Sequence, residues 1–206
     1  MLRIGLTGGI ATGKSTVADM LRTRDCMVLD LDPIGHAFFE PGQTTYDQVV
    51  QEFGREILTT GGAVDRSKLA AIVFADGAKR NRLNAILHPL ILDVAEKWFA
   101  ALDRQGGLEF AVVEAALIME AGYHKQLDRV VVCWCGPEQQ LERLIARGLS
   151  RAEALARLGA QMPIDEKRKL ADDVIDCSRS MYETEKQVTA LIGKLKKLAT
   201  AERNIS

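Results

Sequence analysis

Short apolar runs and helix-period stretches take turns along the chain. Residues 2–7 are mostly apolar and are closed by Gly8 and Gly9, which predicts a buried strand. A helix follows over residues 14–23, then a second apolar run over 27–31 that meets Asp32-Pro33. The pattern is mixed over 36–53, with a break at Pro41-Gly42, and residues 59–63 read as a turn-rich loop. Helical periods return over 67–74, 78–87 and 90–102, separated by Asp76-Gly77 and His88-Pro89. Residues 110–114 and 129–133 are further strands, and 137–147 is a helix with Pro137 at its first turn. A second helix over 151–161 is rich in Arg and Ala, and Pro163 opens a third. Residues 173–176 fit one more short strand, and 183–198 fit an amphipathic helix with a basic end.

Strands alternating with helices from the first residues imply an α/β fold with a parallel sheet and right-handed crossovers. In such sheets ligands bind beyond the carboxyl ends of the strands. Three segments hold those positions: 8–16, 30–32 and 114–120.

The first of them carries chemistry. Gly8-Gly9-Ile10-Ala11-Thr12-Gly13-Lys14-Ser15 matches G-x-x-x-x-G-K-[ST] in full, between a predicted strand and a predicted helix. Glycines let the backbone close around a phosphate and turn successive N–H groups inward. The helix that follows adds partial positive charge at its N-terminus. Gly9, Ala11, Thr12 and Gly13 line such a loop, Lys14 reaches β- and γ-phosphates, and the Ser15 hydroxyl suits Mg²⁺ carried by ATP. Thr16, in the first helical turn, is a candidate for the α-phosphate.

Composition changes this picture little. The chain has 206 residues, 47% hydrophobic and 27% charged, enough for one domain with a core and an inserted lid. A formal net charge of -1 gives no basic signature for nucleic acid. The four cysteines, Cys26, Cys133, Cys135 and Cys177, form no CxxC pair and no zinc spacing, which fits small residues in a reducing cytosol. No leader is visible, and no apolar run reaches the roughly 20 residues that a membrane span needs. A cytoplasmic monomer acting on a small molecule is the expectation.

A phosphate loop is shared by kinases, GTPases and motor ATPases. No Asn-Lys-x-Asp segment is present for guanine, and the Asp103 to Gly106 match to D-x-x-G follows a helix instead of a strand. The Ser-Gly-Gly signature of transporter ATPases is missing too. A small-molecule kinase fits best, because Asp30 and Asp32 end the second strand and alternation places both on one face. A carboxylate there can take the proton of an attacking hydroxyl or align it with the γ-phosphorus. Asp32 before Pro33 is equally a helix N-cap. Arg143 and Arg147 share a helix face, with Arg151 and Arg157 beyond. Guanidinium groups on a mobile lid stabilise a transferring phosphoryl group and exclude water. They also suit a solvated face beside Glu138, Glu142 and Glu153.

From Ile4 to about Asp176 the sequence resembles the dephospho-CoA kinase family. The matching segments are Leu6-Thr7-Gly8-Gly9-Ile10, Gly13-Lys14-Ser15-Thr16, Asp30-Leu31-Asp32 and Glu40-Pro41-Gly42. Leu83-Asn84-Ala85-Ile86-Leu87-His88-Pro89-Leu90-Ile91 and Leu117-Ile118-Met119-Glu120 come next. Gln140-Leu141-Glu142-Arg143-Leu144 with Arg147, then Gln161-Met162-Pro163, Glu166-Lys167-Arg168 and Ala171-Asp172-Asp173-Val174-Ile175, complete the set. The resemblance implies a P-loop NTPase-type three-layer α/β/α fold. It implies phosphorylation of the ribose 3′-hydroxyl of 3′-dephospho-CoA by ATP, giving CoA and ADP, the last step of coenzyme A synthesis. It further implies a nucleotide-binding core over about 1–33, 108–136 and 170–206, a substrate-binding helical region over about 34–102, and a lid over about 137–168. Asp32 becomes the expected general base, Asp30 a supporting carboxylate, and Arg147 a phosphate-contacting lid residue. His88 and Arg143 are substrate-side candidates. Other metabolite kinases and a silent nucleotide-binding regulator are the alternatives.

The chain departs from the family pattern in four places. Ala11-Thr12 stands where Gly-Ser or Gly-Thr is frequent, at little cost if Ala11 has negative φ. His36 stands near a usual Arg, Ala116 replaces a usual Pro, and Asp176-Cys177-Ser178-Arg179 replaces an Asn-rich turn.

Overall fold

Strands β1 (Leu2–Gly8), β2 (Val28–Asp30), β3 (Phe110–Glu114), β4 (Arg129–Trp134) and β5 (Asp173–Asp176) form one sheet in the computed structural model. All pairs are parallel and the order is β2-β3-β1-β4-β5. The structure describes residues 1–203, apart from the side chains of His36, Thr44, Glu202 and Arg203. The phosphate contact in question at His36 therefore lies outside the described residues.

The helices are α1 (Lys14–Arg22), α2 (Asp32–Ala37), α3 (Thr44–Phe53), α4 (Arg66–Ala75), α5 (Gly77–Gln105), α6 (Pro137–Ala146), α7 (Arg151–Gly159), α8 (Ile164–Lys169) and α9 (Met181–Arg203). Short 3₁₀ turns stand at Arg55–Ile57 and Tyr123–Gln126. Strands β1, β3 and β4 are buried nearly end to end, as central strands of a sheet covered on both faces must be. One face packs Leu6, Val112 and Val131 with Val17 and Leu21 of α1 and Val188, Leu191 and Leu195 of α9. A separate cluster joins Val130 and Val132 to Met119 and Ile164 of α8. The exposed ends of the sheet are short, with β2 only three residues long.

From β1 the chain runs through α1 to β2, on the β3 side of β1, whereas β4 flanks the other side. β1 is thus the strand at which the order reverses, and the loop after it opens into the crevice where ligands bind in such sheets.

Residues 31–95 form a compact unit of their own, the remainder of the chain forming the other. The core of that unit holds Phe39, Val49, Phe53, Ile57, Leu69, Val73 and Leu87. Asp65 caps α4 by accepting from the N–H groups of Ser67 and Lys68. Asp76 does the same for Ala78 and Lys79 at the start of α5. No helix among the described residues is long and apolar enough to cross a membrane.

Two local expectations change. The break expected at His88-Pro89 is absent, and α5 runs through Pro89 for 29 residues. Proline costs a helix interior about 3 kcal/mol. Leu87, Ala95 and Phe99, all buried, supply the packing that holds the helix across it. The second strand ends at Asp30, and Asp32 belongs to α2, so alternation does not relate the two carboxylates.

Candidate active site

The loop between β1 and α1 is fixed by contacts from several distant segments. Thr12, fully buried, donates its hydroxyl to the Gly9 carbonyl at 2.9 Å. Gln140 of α6 donates to the Ile10 carbonyl at 2.7 Å, and Gln161 accepts from the Ile10 N–H at 2.8 Å. Arg143 donates to the carbonyls of Ala11 and Thr12 at 3.1 and 3.3 Å, and to that of Cys177 at 2.7 Å. Gly13 adopts φ 106, a conformation that L side chains rarely take, and a Cβ there would come 3.2 Å from that of Cys177.

Ala11 has φ 63, against the negative value that would make it inexpensive. An L-residue in this region costs about 1–2 kcal/mol. Its methyl is buried with Leu144 and Ala154, beside Ile10, Leu141, Leu149 and Leu158. Burying that carbon returns about 0.8 kcal/mol. The packing between loop and helices therefore explains how alanine is tolerated.

Lys14 opens α1 and its Nζ lies 3.0 Å from Glu114 Oε1. The second oxygen of Glu114 accepts from Arg22 at 3.1 Å. Glu114 is 1% exposed, and these two cations pair with its buried side chain. In register, Glu114 stands between Leu6 of β1 and Asp30 of β2. The carboxylate that pairs with the loop lysine is Glu114, which sequence reasoning did not single out. A signal existed, since four apolar residues ending in an acid is the strand pattern that presents a carboxylate beside such a loop.

Other candidates separate by position. Ser15 is exposed and Thr16 half-buried in the first turn of α1. Asp32 is exposed in the first turn of α2, directly before Pro33. His88 is half-buried inside α5. Arg147 is exposed at the C-terminal end of α6, which Gly148 closes with φ 91. Arg143 differs from Arg147, because its guanidinium lies on main-chain carbonyls. Ala116, in the place of a proline, accepts from Thr7 Oγ1 at 3.2 Å and Lys167 Nζ at 2.6 Å through its carbonyl.

Cys133, Cys135 and Cys177 are all buried. Burial pushes the Cys133 thiol well up, and its hydrogen bond to Cys177 adds to this. The same bond holds Cys177 below the ordinary thiol range, with Arg143 assisting.

A glycine loop opening a helix at the reversal strand, with its lysine beside a buried carboxylate, is the phosphate-binding arrangement of the P-loop class. Comparison with known proteins narrows the class. A sequence profile described as dephospho-CoA kinase matches residues 2–183. A dephospho-CoA kinase of Carboxydothermus hydrogenoformans is 43% identical over 194 residues, 94% of this chain and 94% of that protein. The solved structure of TT1252 from Thermus thermophilus superposes with a TM-score of 0.78 at 32% identity, covering 94% of this chain and 97% of the other. A dephospho-CoA kinase from Campylobacter jejuni gives 0.68 at 27% identity, covering 95% and 97%. The chain belongs to the dephospho-CoA kinase family, and it is an enzyme of the phosphotransferase type with ATP as co-substrate.

Proposed function

We propose that this chain transfers the γ-phosphoryl group of ATP to the ribose 3′-hydroxyl of 3′-dephospho-CoA, giving CoA and ADP. The observation that carries the reading is the pinned loop 8–16 with Lys14 held at its mouth by Glu114. Main-chain N–H groups of the loop hold the phosphates, and Lys14 exchanges Glu114 for β- and γ-oxygens. The oxygen donors Ser15, Glu114 and Asp30 suit a hard cation, and Glu114 and Asp30 are register neighbours. Mg²⁺, when bound with ATP, supplies charge neutralisation at the phosphate oxygens. Asp32 accepts the proton of the 3′-hydroxyl as its oxygen bonds to the γ-phosphorus and the bond to the β-phosphate oxygen breaks. Arg147 faces the charge spread over the transferring group.

In this reading residues 34–102 or so serve the acceptor, about 137–168 act as a lid, and about 1–33, 108–136 and 170–206 bind the nucleotide. His88 is an acceptor-side residue. The enzyme works as a cytoplasmic monomer and takes no nucleic acid, in keeping with a net charge of -1. A coupled ADP-release assay with a panel of acceptors tests the assignment. Dephospho-CoA with Mg²⁺ and ATP is expected to yield CoA. ADP release with another hydroxyl instead would reassign the acceptor, and none with any acceptor would reduce the chain to a nucleotide-binding regulator.

A further inference from the structure

Ile10, at the turn of the phosphate loop, has both main-chain polar groups taken by glutamines from elsewhere. Gln140 of α6, 3% exposed, gives its Nε2 proton to the carbonyl at 2.7 Å. Gln161, which follows α7, takes the N–H on Oε1 at 2.8 Å. A Cβ on Gly9 would stand 2.4 Å from Gln140 Nε2, so the absent side chain at position 9 is what admits the amide. The side chain of Ile10 meanwhile lies beside the apolar cluster that joins α6 and α7. The Ile10 peptide groups accept or donate in one sense only, which fixes both amide orientations.

We propose that Gln140 and Gln161 are positioning residues that hold the phosphate loop in its ATP-binding shape. Each acts through the main chain of Ile10. Their opposite hydrogen-bond polarity ties the loop to α6 and to the α7–α8 turn, so the cradle and the arginine-bearing segment are joined through the two peptides that flank Ile10. Loosening either bond lets the loop turn relax, and the cost falls on ATP binding. The inference rests on the reading of residues 8–16 as the ATP phosphate cradle.

The two positions predict different responses to one substitution. Gln161→Glu keeps an acceptor for the Ile10 N–H. Gln140→Glu sets an acceptor against the Ile10 carbonyl. Both add the same charge near the phosphates, so their comparison cancels that effect. We expect KM for ATP in Gln140→Glu to exceed that in Gln161→Glu by about tenfold, the equivalent of one lost and one repulsive contact. KM for dephospho-CoA is expected to stay equal in the two. Equal KM for ATP in both variants, or an equal rise in both KM values, would overturn the proposal. If Gln140→Glu does not fold, Gln140→Met and Gln161→Met replace the pair, and each is expected to raise KM for ATP by about fivefold. An unchanged KM for ATP in both would again overturn it. Lys14→Ala, measured alongside, separates the two levels. Undiminished turnover in that variant refutes the phosphate cradle itself, whereas a crippled Lys14→Ala with indistinguishable glutamine variants refutes only the positioning role.

Discussion

In the phosphate loop, side chains from α6, the α7–α8 turn and β3 hold the backbone or the lysine in place. In the helical unit of residues 31–95, Asp32 stands exposed in the first turn of a six-residue helix. Lys14 is 10% exposed and its partner Glu114 1%, both anchored on a sheet whose central strands are buried on two faces. The unit that carries Asp32 is built from helices around its own small core. The proposed grip on the nucleotide is therefore already shaped without ATP, at the expense of burying Glu114 and holding Ala11 at positive φ. Asp32, the carboxylate proposed to align the acceptor, sits in a unit with a smaller core of its own. Preorganisation matters most where charge develops, which fits the heavier investment around the phosphates.

Substitutions that act on only one side sharpen this contrast. The largest effect is expected for Asp32→Asn, which lowers kcat by on the order of 10²–10⁴. Steady-state kinetics with melting curves check it, and a fall in melting temperature at unchanged kcat would make Asp32 a structural residue. Lys14→Ala comes next. It removes one phosphate donor, expected to lower kcat/KM by on the order of 10²–10³. It also leaves Glu114 beside the Arg22 guanidinium. The fold is expected to persist by circular dichroism, and normal turnover would contradict the loop assignment.

A third substitution probes a buried ion pair away from the loop. Lys167 is fully buried and donates to Ala116 O and to Glu120 Oε1, at 2.6 and 2.9 Å. Lys167→Met strands the Glu120 carboxylate and is expected to lower unfolding free energy by about 3 kcal/mol in urea titrations. The double variant with Glu120→Met is expected to recover part of that loss. No recovery would show that the two are not coupled. The smallest effect belongs to Ala11→Gly. Relief of positive φ, about 1–2 kcal/mol, is opposed by about 0.8 kcal/mol of lost methyl burial and about 0.5–1 kcal/mol of added chain entropy. Stability is expected to move by less than about 1 kcal/mol, and a larger gain would mean that the methyl packs less well than the cluster around Leu144 implies.

Most elements were legible because their signals are local. The strand before the phosphate loop and Pro137 at the start of α6 each follow from a few adjacent residues, whereas α9 runs past its expected end at 198 to Arg203. Failures came where distant packing decides. Pro89 reads as a break until the burial of Leu87 and Phe99 is known. The φ of Ala11 is set by helices whose sequence lies more than 130 residues away. Gln140 and Gln161 could not be assigned to Ile10, because a side chain bonding to a remote peptide leaves no periodicity or motif. Arg143 looked equivalent to Arg147 on helical spacing, and only the carbonyls around its guanidinium distinguish the two. Glu114 was readable from its strand and was passed over for the Asp30 and Asp32 pair.

The division of labour between grip and alignment is tested most directly by equilibrium ATP binding to Asp32→Asn and Lys14→Ala, measured by calorimetry without acceptor. Asp32→Asn is expected to bind within about threefold of the unsubstituted protein, while Lys14→Ala loses about tenfold or more, the worth of one charge-assisted hydrogen bond. Equal loss of ATP binding in the two variants would contradict the account.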